Sequence, residues 1–161
     1  RRPGPMSYLW NEPPGTGLGF IRRIQGTNPA AGANYTLNMG SFTMFRIHSV
    51  GALLTTDANA GNRYVSLAME NQAGTRTMWA SWASGRAIPA SEVIECFWTP
   101  GLHEDDLGTY IEHHQQGSSP DTTFYGDDRR LIVFVGDRKV GDQLSAIELE
   151  LEEWAGPFVG A

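Results

Sequence analysis

Short apolar segments recur along this chain, separated by Gly, Pro, Asn and Asp. The last of them, residues 141–154, alternates apolar positions with Ser145, Glu148, Glu150 and Glu152. Because successive side chains of a β-strand point to opposite faces of its sheet, this period of two predicts a strand with one face in the core and one in water. The apolar set of that strand consists of Leu144, Ala146 or Ile147, Leu149 and Leu151.

The same criteria predict strands throughout the chain beyond residue 19. No segment carries a 3.6-residue apolar period for more than two turns, so long helices are not expected. About eight to ten strands spaced by turns are typical of an all-β protein, built as an antiparallel β-sandwich or as a barrel. The predicted strands are Phe20–Gln25, Tyr35–Met39, Phe42–Thr56, Arg63–Asn71, Thr77–Ala83, Val93–Thr99, Thr109–His114, Leu131–Val135 and the terminal segment.

Two of these strands and one connecting segment carry further local predictions. The apolar spacing slips near Ser49–Gly51, which predicts a bulge or bend there. Residues 131–135 are apolar at every position, as expected of a strand that is buried on both faces. Gln115–Thr122 is rich in Gly, Ser and Pro and is predicted to be a polar loop.

The length of 161 residues fits one domain. Residues 1–19 are rich in Pro and Gly and are predicted to form an extended N-terminal arm, followed by a single β-sandwich domain over residues 20–161. The arm carries four large apolar side chains that need a surface to bury against, either on a neighbour or back across its own sheet. We expect them in an interface with a neighbour; a partly ordered terminus is the further alternative. These interface candidates are Met6, Tyr8, Leu9 and Trp10.

Net charge and apolar patterning argue against two classes of partner, and the position of the single cysteine argues against a reactive thiol. The formal net charge of −6 argues against nucleic acid, which requires a clustered basic surface. No apolar run is long enough to span a membrane, so no membrane partner is expected. The single cysteine, Cys96, lies in an apolar segment and is predicted to be a buried, unreactive thiol.

Residues with catalytic or metal-binding chemistry are present but poorly arranged. His103, His113 and His114 lie among carboxylates, yet a strand would point His113 and His114 to opposite faces, so exposed polar residues are favoured over a metal site. Asp137 and Asp142, like the pair Asp127-Asp128, lack EF-hand spacing and are interpreted as hairpin turn residues in preference to calcium ligands. We therefore expect no catalytic residues, no metal and no cofactor.

Trp79 and Trp82 are three positions apart in one predicted strand, which places them on opposite faces. One is expected in the core and the other at the surface, where an exposed Trp marks a contact site. A subunit interface is favoured over a platform for sugars, so both residues are candidates for an interface.

Two sequence blocks carry a resemblance to a known group of proteins. They run from Leu53-Leu54-Thr55-Thr56-Asp57-Ala58 to Asn62-Arg63-Tyr64-Val65-Ser66-Leu67, and from Gly141-Asp142-Gln143 to Glu152-Glu153-Trp154. In these blocks the chain resembles small β-sandwich virion proteins of tailed bacteriophages, which decorate or cement the capsid or sit at a head–tail junction. The resemblance covers roughly residues 35–154 and implies a jelly-roll-like fold and a structural role.

The expected function is therefore that of a structural virion protein without catalysis. Its expected partners are other copies of itself, as a trimer or dimer, and a major capsid protein; its expected location is the virion, assembled in the bacterial host cytoplasm. A carbohydrate-binding or host-surface-binding sandwich of a phage spike or fibre is the alternative, and a hydrolase on a jelly-roll scaffold is a third hypothesis, because sandwiches host all of these functions.

Overall fold

The computed structural model of the protein describes residues 19–40, 43–83, 87–100, 114–120 and 123–155. Within these ranges it contains ten β-strands and no helix. The strands are β1 (Phe20–Gln25), β2 (Tyr35–Asn38), β3 (Thr43–Thr55), β4 (Tyr64–Asn71), β5 (Thr77–Trp82), β6 (Val93–Pro100), β7 (His114–Ser119), β8 (Phe124–Tyr125), β9 (Arg129–Gly136) and β10 (Gln143–Ala155).

The strands form two sheets that pack face to face. One is a six-stranded sheet with the order β1-β10-β3-β6-β7, to which β8 adds by pairing with β3. The other is a four-stranded sheet with the order β2-β9-β4-β5. All neighbouring strands are antiparallel apart from β6 and β7. The predicted all-β antiparallel sandwich is confirmed.

The pairing of the strands is nested. The innermost pair, β4 with β5, is enclosed in sequence by β3 with β6, then by β2 with β9, and finally by β1 with β10. This is the arrangement of one long double strand rolled into two sheets, which is a jelly roll. Strands β7 and β8 are additions within the connection between β6 and β9.

The core lies between the sheets and takes alternate residues from both. Phe45, Ile47 and Leu54 of β3 meet Leu67 and Met69 of β4, and none of the five is accessible to solvent. Strand β9 contributes Leu131, Val133 and Val135 to this core, while Ile132 is buried on the opposite face. The prediction that this strand is buried on both faces is therefore confirmed at Ile132.

Two bulges resolve the irregular spacing of the long strands. In β10 an extra residue lies between the pairs Ser145–Leu53 and Glu148–Gly51, and Ala146 adopts a positive φ of 47°. The bulge leaves Ala146 exposed and turns Ile147 into the core. In β3 the extra residue is His48, one position before the bend predicted at Ser49–Gly51.

Strand β7 corrects the sequence prediction of a polar loop over Gln115–Thr122. Residues 114–119 pair in parallel with β6, although their side chains lack a β-pattern. Position 117 requires glycine, because a Cβ there would collide with the carbonyl oxygen of Trp82 and the ring of Trp98. Backbone pairing and close approach, in place of apolar alternation, therefore hold this edge strand.

A buried ion pair closes one end of the sandwich. The Arg63 side chain is inaccessible to solvent, and its Nε and Nη2 atoms donate to Asp142 at 3.0 and 3.1 Å. Nη2 also donates to Asp57 at 2.6 Å, and Nη1 to the carbonyl of Gly61 at 3.2 Å. The planar guanidinium thus meets the Asp142 carboxylate in the bidentate geometry that gives strong, directional hydrogen bonds.

Asp142 also accepts hydrogen bonds from the main chain. The amides of Asp57 and Lys139 donate to its two oxygens at 2.9 and 2.7 Å. Burial alone raises the pKa of Asp142, but the hydrogen bonds from Arg63 and from the two amides outweigh it and lower the pKa below its ordinary value. Asp137 accepts from Lys139 Nζ and from the amide of Asn62. Both aspartates are therefore engaged by cations and main-chain amides, as expected of turn residues.

We predict that Asp142→Asn destabilises the fold by about 3–5 kcal/mol, because it leaves the Arg63 cation buried without its counter-charge. The free energy of unfolding, measured by urea denaturation, tests this. Because the folded-state pKa of Asp142 lies below its unfolded value of about 3.9, its stabilisation is complete above about pH 5 and is lost as the pH falls through the folded-state pKa. The variant should therefore lose stability less steeply than the wild type on acidification.

The control for this prediction is Asp137→Asn, whose side chain is 53% exposed and lies at the edge of the same network. We expect its unfolding midpoint to stay close to that of the wild type. Equal loss in the two variants would contradict a special role for the buried pair.

Candidate functional site

The outer face of the four-stranded sheet carries a cluster of aromatic side chains. Ser66 of β4 is paired with Trp82 of β5 on one side and with Phe134 of β9 on the other, so the three share this face. The ring centroid of Trp82 lies 5.8 Å from those of Tyr64 and Phe134, and both contacts are edge-to-face. We call Tyr64, Trp82 and Phe134 the aromatic patch.

The aromatic patch is accessible although it covers smaller residues. Trp82 is 48% exposed and Tyr64 36%, whereas Ser66 beneath them is fully buried. The ring of Trp82 also approaches Gly136, where a Cβ would lie 3.9 Å from it. A Trp ring that rests on the sheet and is held by two neighbouring rings presents a large apolar surface with little conformational entropy to lose on binding.

Trp79 lies on the other side of the sheet. It is paired with Met69 of β4 and packs against the central core. The expectation that one tryptophan of β5 is in the core and the other is exposed is met, with Trp82 as the exposed one. The interface role of both stays a prediction. The other interface candidates, Met6, Tyr8, Leu9 and Trp10, lie outside the described residues.

The outer face of the six-stranded sheet is charged. Glu148, Glu150 and Glu152 of β10 alternate with core residues and line up along this face, as predicted. The water-facing side predicted for these residues is wrong for Glu152 alone. Glu150 is bound by Arg23 at 2.8 Å, and Glu152 is nearly buried.

Three groups of the same chain surround Glu152. Its carboxylate accepts the amide of Gly19 at 2.8 Å, lies 3.0 Å from Nε2 of His48, and is 3.8 Å from Arg46. Burial raises the pKa of Glu152, but the contacts with His48, Gly19 and Arg46 outweigh it and lower the pKa overall. This cluster fixes the start of β1 on β10, which is a structural role.

A groove of about 600 Å³ lies farther along the same outer face. One row across its middle runs from Gln25 through Glu148 and Gly51 to Phe97, following the register of β1, β10, β3 and β6. Phe97 is 37% exposed. The complete lining comprises Arg23, Ile24, Gln25, Ser49, Gly51, Ala52, Leu53, Glu95, Phe97, Ala146, Glu148, Leu149 and Glu150. We call this feature the outer groove.

Groups suited to nucleophilic or metal chemistry do not converge in the described residues. Cys96 points into the core with no accessible surface, and burial followed by the charge of Glu95 raises the pKa of its thiol to about 12. Within residues 19–40, 43–83, 87–100, 114–120 and 123–155, no group of three or more His, Cys, Asp and Glu side chains is placed to hold a metal ion. Of the candidate histidines, His103 and His113 lie outside these residues, and His114 begins β7.

Comparisons with known proteins give little further guidance. No protein-family model matches the chain, and no curated protein matches it. Among solved structures, a chain of the structure of infectious bursal disease virus Gx strain aligns with 83% of this chain at 8% sequence identity and a TM-score of 0.27. This protein spans 41% of that chain, and a likeness this weak carries no argument about fold or function.

Membrane insertion through a helix has no support in the part of the chain that the structure describes. None of it forms a helix long and apolar enough to cross a bilayer.

We predict that the Cys96 thiol is unreactive in the folded protein. With its pKa raised to about 12, the thiol is protonated at neutral pH, and the core blocks access to it. A colorimetric thiol reagent should label less than a tenth of the protein before unfolding and all of it in concentrated urea. Rapid labelling without denaturant would show that the core opens at β6.

Proposed function

We propose that this protein is a structural component of a virion that decorates or cements a bacteriophage capsid through protein–protein contacts, without catalysis. Its partners are further copies of itself and a major capsid protein, and its location is the assembled particle. The observation that carries the proposal is the aromatic patch on the outer face of the four-stranded sheet.

The aromatic patch has the composition and geometry of an interface hot spot. Trp and Tyr dominate the energetics of protein–protein interfaces when they are rigid and become fully desolvated on binding. Both conditions suit Trp82, because edge-to-face contacts with Tyr64 and Phe134 fix its ring while about half of its surface still faces solvent. A free protein gains nothing from keeping this surface in water, and a partner surface can bury it.

The stability and net charge of the sandwich also suit a structural component of an assembly. Its stability depends on a continuous core and on the buried pair of Arg63 with Asp142, and its single cysteine makes no disulfide in the structure. The net negative charge favours contact with proteins over packaged nucleic acid. The sequence blocks that resemble virion proteins contain Asp57, Arg63 and Asp142, so that resemblance rests on the residues that close the sandwich.

We predict that Trp82→Ser weakens self-association or shell binding by at least about tenfold, because it removes the central ring of the aromatic patch. Sedimentation of the purified protein over a range of concentrations measures self-association, and electron microscopy of mixtures with undecorated capsid shells measures shell binding. Ser66 beneath the ring is polar, but the variant also uncovers the parts of the Tyr64 and Phe134 rings that Trp82 contacts.

Val140→Ser is the matched control for this experiment. Val140 is an apolar residue that is 83% exposed in the connection between β9 and β10, outside the aromatic patch. The control should associate like the wild type. A wild-type protein that remains monomeric and leaves shells bare at high concentration contradicts the proposed function.

We also predict that removal of residues 1–18 leaves the sandwich folded and weakens assembly, since that segment holds Tyr8 and Trp10 among its apolar residues. Circular dichroism checks the fold, and light scattering checks assembly. The truncated protein retains Gly19, whose nitrogen, then an N-terminal amine, is still able to donate to the Glu152 carboxylate. Unchanged assembly of the truncated protein would show that residues 1–18 make no contact on which assembly depends.

A further inference from the structure

We infer that the outer groove is a binding site for a neutral oligosaccharide, which it holds without cleaving. The site is on the opposite sheet from the aromatic patch, so the inference does not rest on the proposed function. It is carried by three properties of the groove: an open ring face at its floor, a rim with both donors and acceptors, and a net acidic charge.

The floor of the outer groove is formed around Gly51. Among the described residues other than its chain neighbours, the nearest atom to a Cβ built at this position is Cδ2 of Phe97 at 3.7 Å, and no other atom comes within 4 Å. The missing side chain leaves space beside the Phe97 ring, which stands in the neighbouring strand and is 37% exposed. An aromatic ring beside an open floor accommodates the apolar C–H face of a sugar ring.

The rim supplies the polar contacts that sugar hydroxyls need. Each hydroxyl both donates and accepts hydrogen bonds, so a suitable site offers both kinds of partner. The amide of Gln25 and the hydroxyl of Ser49 provide donors and acceptors, and the carboxylate of Glu148 provides acceptors. The volume of about 600 Å³ lies within the usual range for small-ligand sites and exceeds what a single sugar ring fills.

The charge of the groove selects among ligand classes. Two carboxylates, Glu148 and Glu150, lie beside one guanidinium, Arg23, which is bound to Glu150, so the charge of Glu148 adds to a balanced pair. This excess of negative charge disfavours phosphates, nucleic acids and acidic sugars. A basic peptide is the competing ligand, but the guanidinium of Arg23 lies in the same groove, and the mixed rim around an aromatic floor matches a neutral polyhydroxylated chain more closely.

The test uses the full protein labelled with ¹⁵N and neutral oligosaccharides of glucose, galactose, mannose and N-acetylglucosamine as probes. We expect at least one probe to shift the backbone amide resonances of Gly51 and Phe97 in a saturable way, with a dissociation constant that hardly changes with salt. Phe97→Ala should weaken that binding by about tenfold or more. Gly51→Val should do the same by filling the floor, because the strand has room for a Cβ there.

Val93→Ala is the matched control, since Val93 is an exposed apolar residue of the same strand and face but does not line the groove. It should bind like the wild type, and so should Trp82→Ser. Absence of shifts with every probe overturns the inference. So does binding that survives both groove variants, release of shorter sugars from the probe, or salt-sensitive binding of an oligolysine peptide at the same resonances without any sugar binding.

Discussion

The interaction on which the rest of the structure depends is the buried ion pair of Arg63 with Asp142. It lies where all four connections at one end of the jelly roll meet. The amide of Gly32, between β1 and β2, donates to the carbonyl of Asp142 at 2.7 Å, and the amide of Asp57, between β3 and β4, donates to its carboxylate. Arg63 itself exchanges two main-chain hydrogen bonds with Ile88, between β5 and β6. Asp142, in the connection between β9 and β10, thus reaches one of the other three through its carbonyl, one through its carboxylate and one through Arg63.

A buried ion pair adds little net stability compared with an apolar replacement of the same shape, but it is costly to leave half-made. The ion pair contributes to this protein mainly by fixing the relative positions of the groups that it joins. The carboxylate of Asp142 receives two bonds from one guanidinium and two from separate loops, an arrangement that only one register of the surrounding strands allows. In a fold whose paired strands are far apart in sequence, a contact that can form in only one register disfavours pairings that are shifted by one or more residues.

Most strands apart from β7 and β8 were predictable because each follows a local rule. Alternation in β10 and the apolar run in β9 depend on neighbouring residues only, and the slip in β3 located its bulge to within one residue. Strand β7 was missed because main-chain pairing and the fit of Gly117 against Trp98 leave no apolar pattern. The role of Arg63 was missed as well, although an arginine that opens an apolar strand and lacks an adjacent counter-charge is a usable signal for a buried pair.

The aromatic patch and the outer groove differ in how well they could be predicted from the sequence. The odd spacing of Trp79 and Trp82 within one strand predicted that they lie on opposite faces, and the structure was needed to show that Trp82 is the exposed one. The outer groove required the register of four strands, because Gln25, Glu148, Gly51 and Phe97 become neighbours only across the sheet. No local pattern in the chain brings these four positions together.

Closing the sandwich at its end has a consequence for its faces. Since the connections are held by Asp142 and the sheets by the core, the parts of the outer faces beyond the Glu152 cluster and Ile132 are less important for the stability of the fold. The four-stranded sheet can therefore carry an apolar aromatic patch that favours dry burial against protein, while the six-stranded sheet carries a polar groove that favours a hydrated ligand. Because the two faces point in opposite directions across the core, a copy fixed to an assembly through Trp82 still presents Phe97 and its groove to the surroundings.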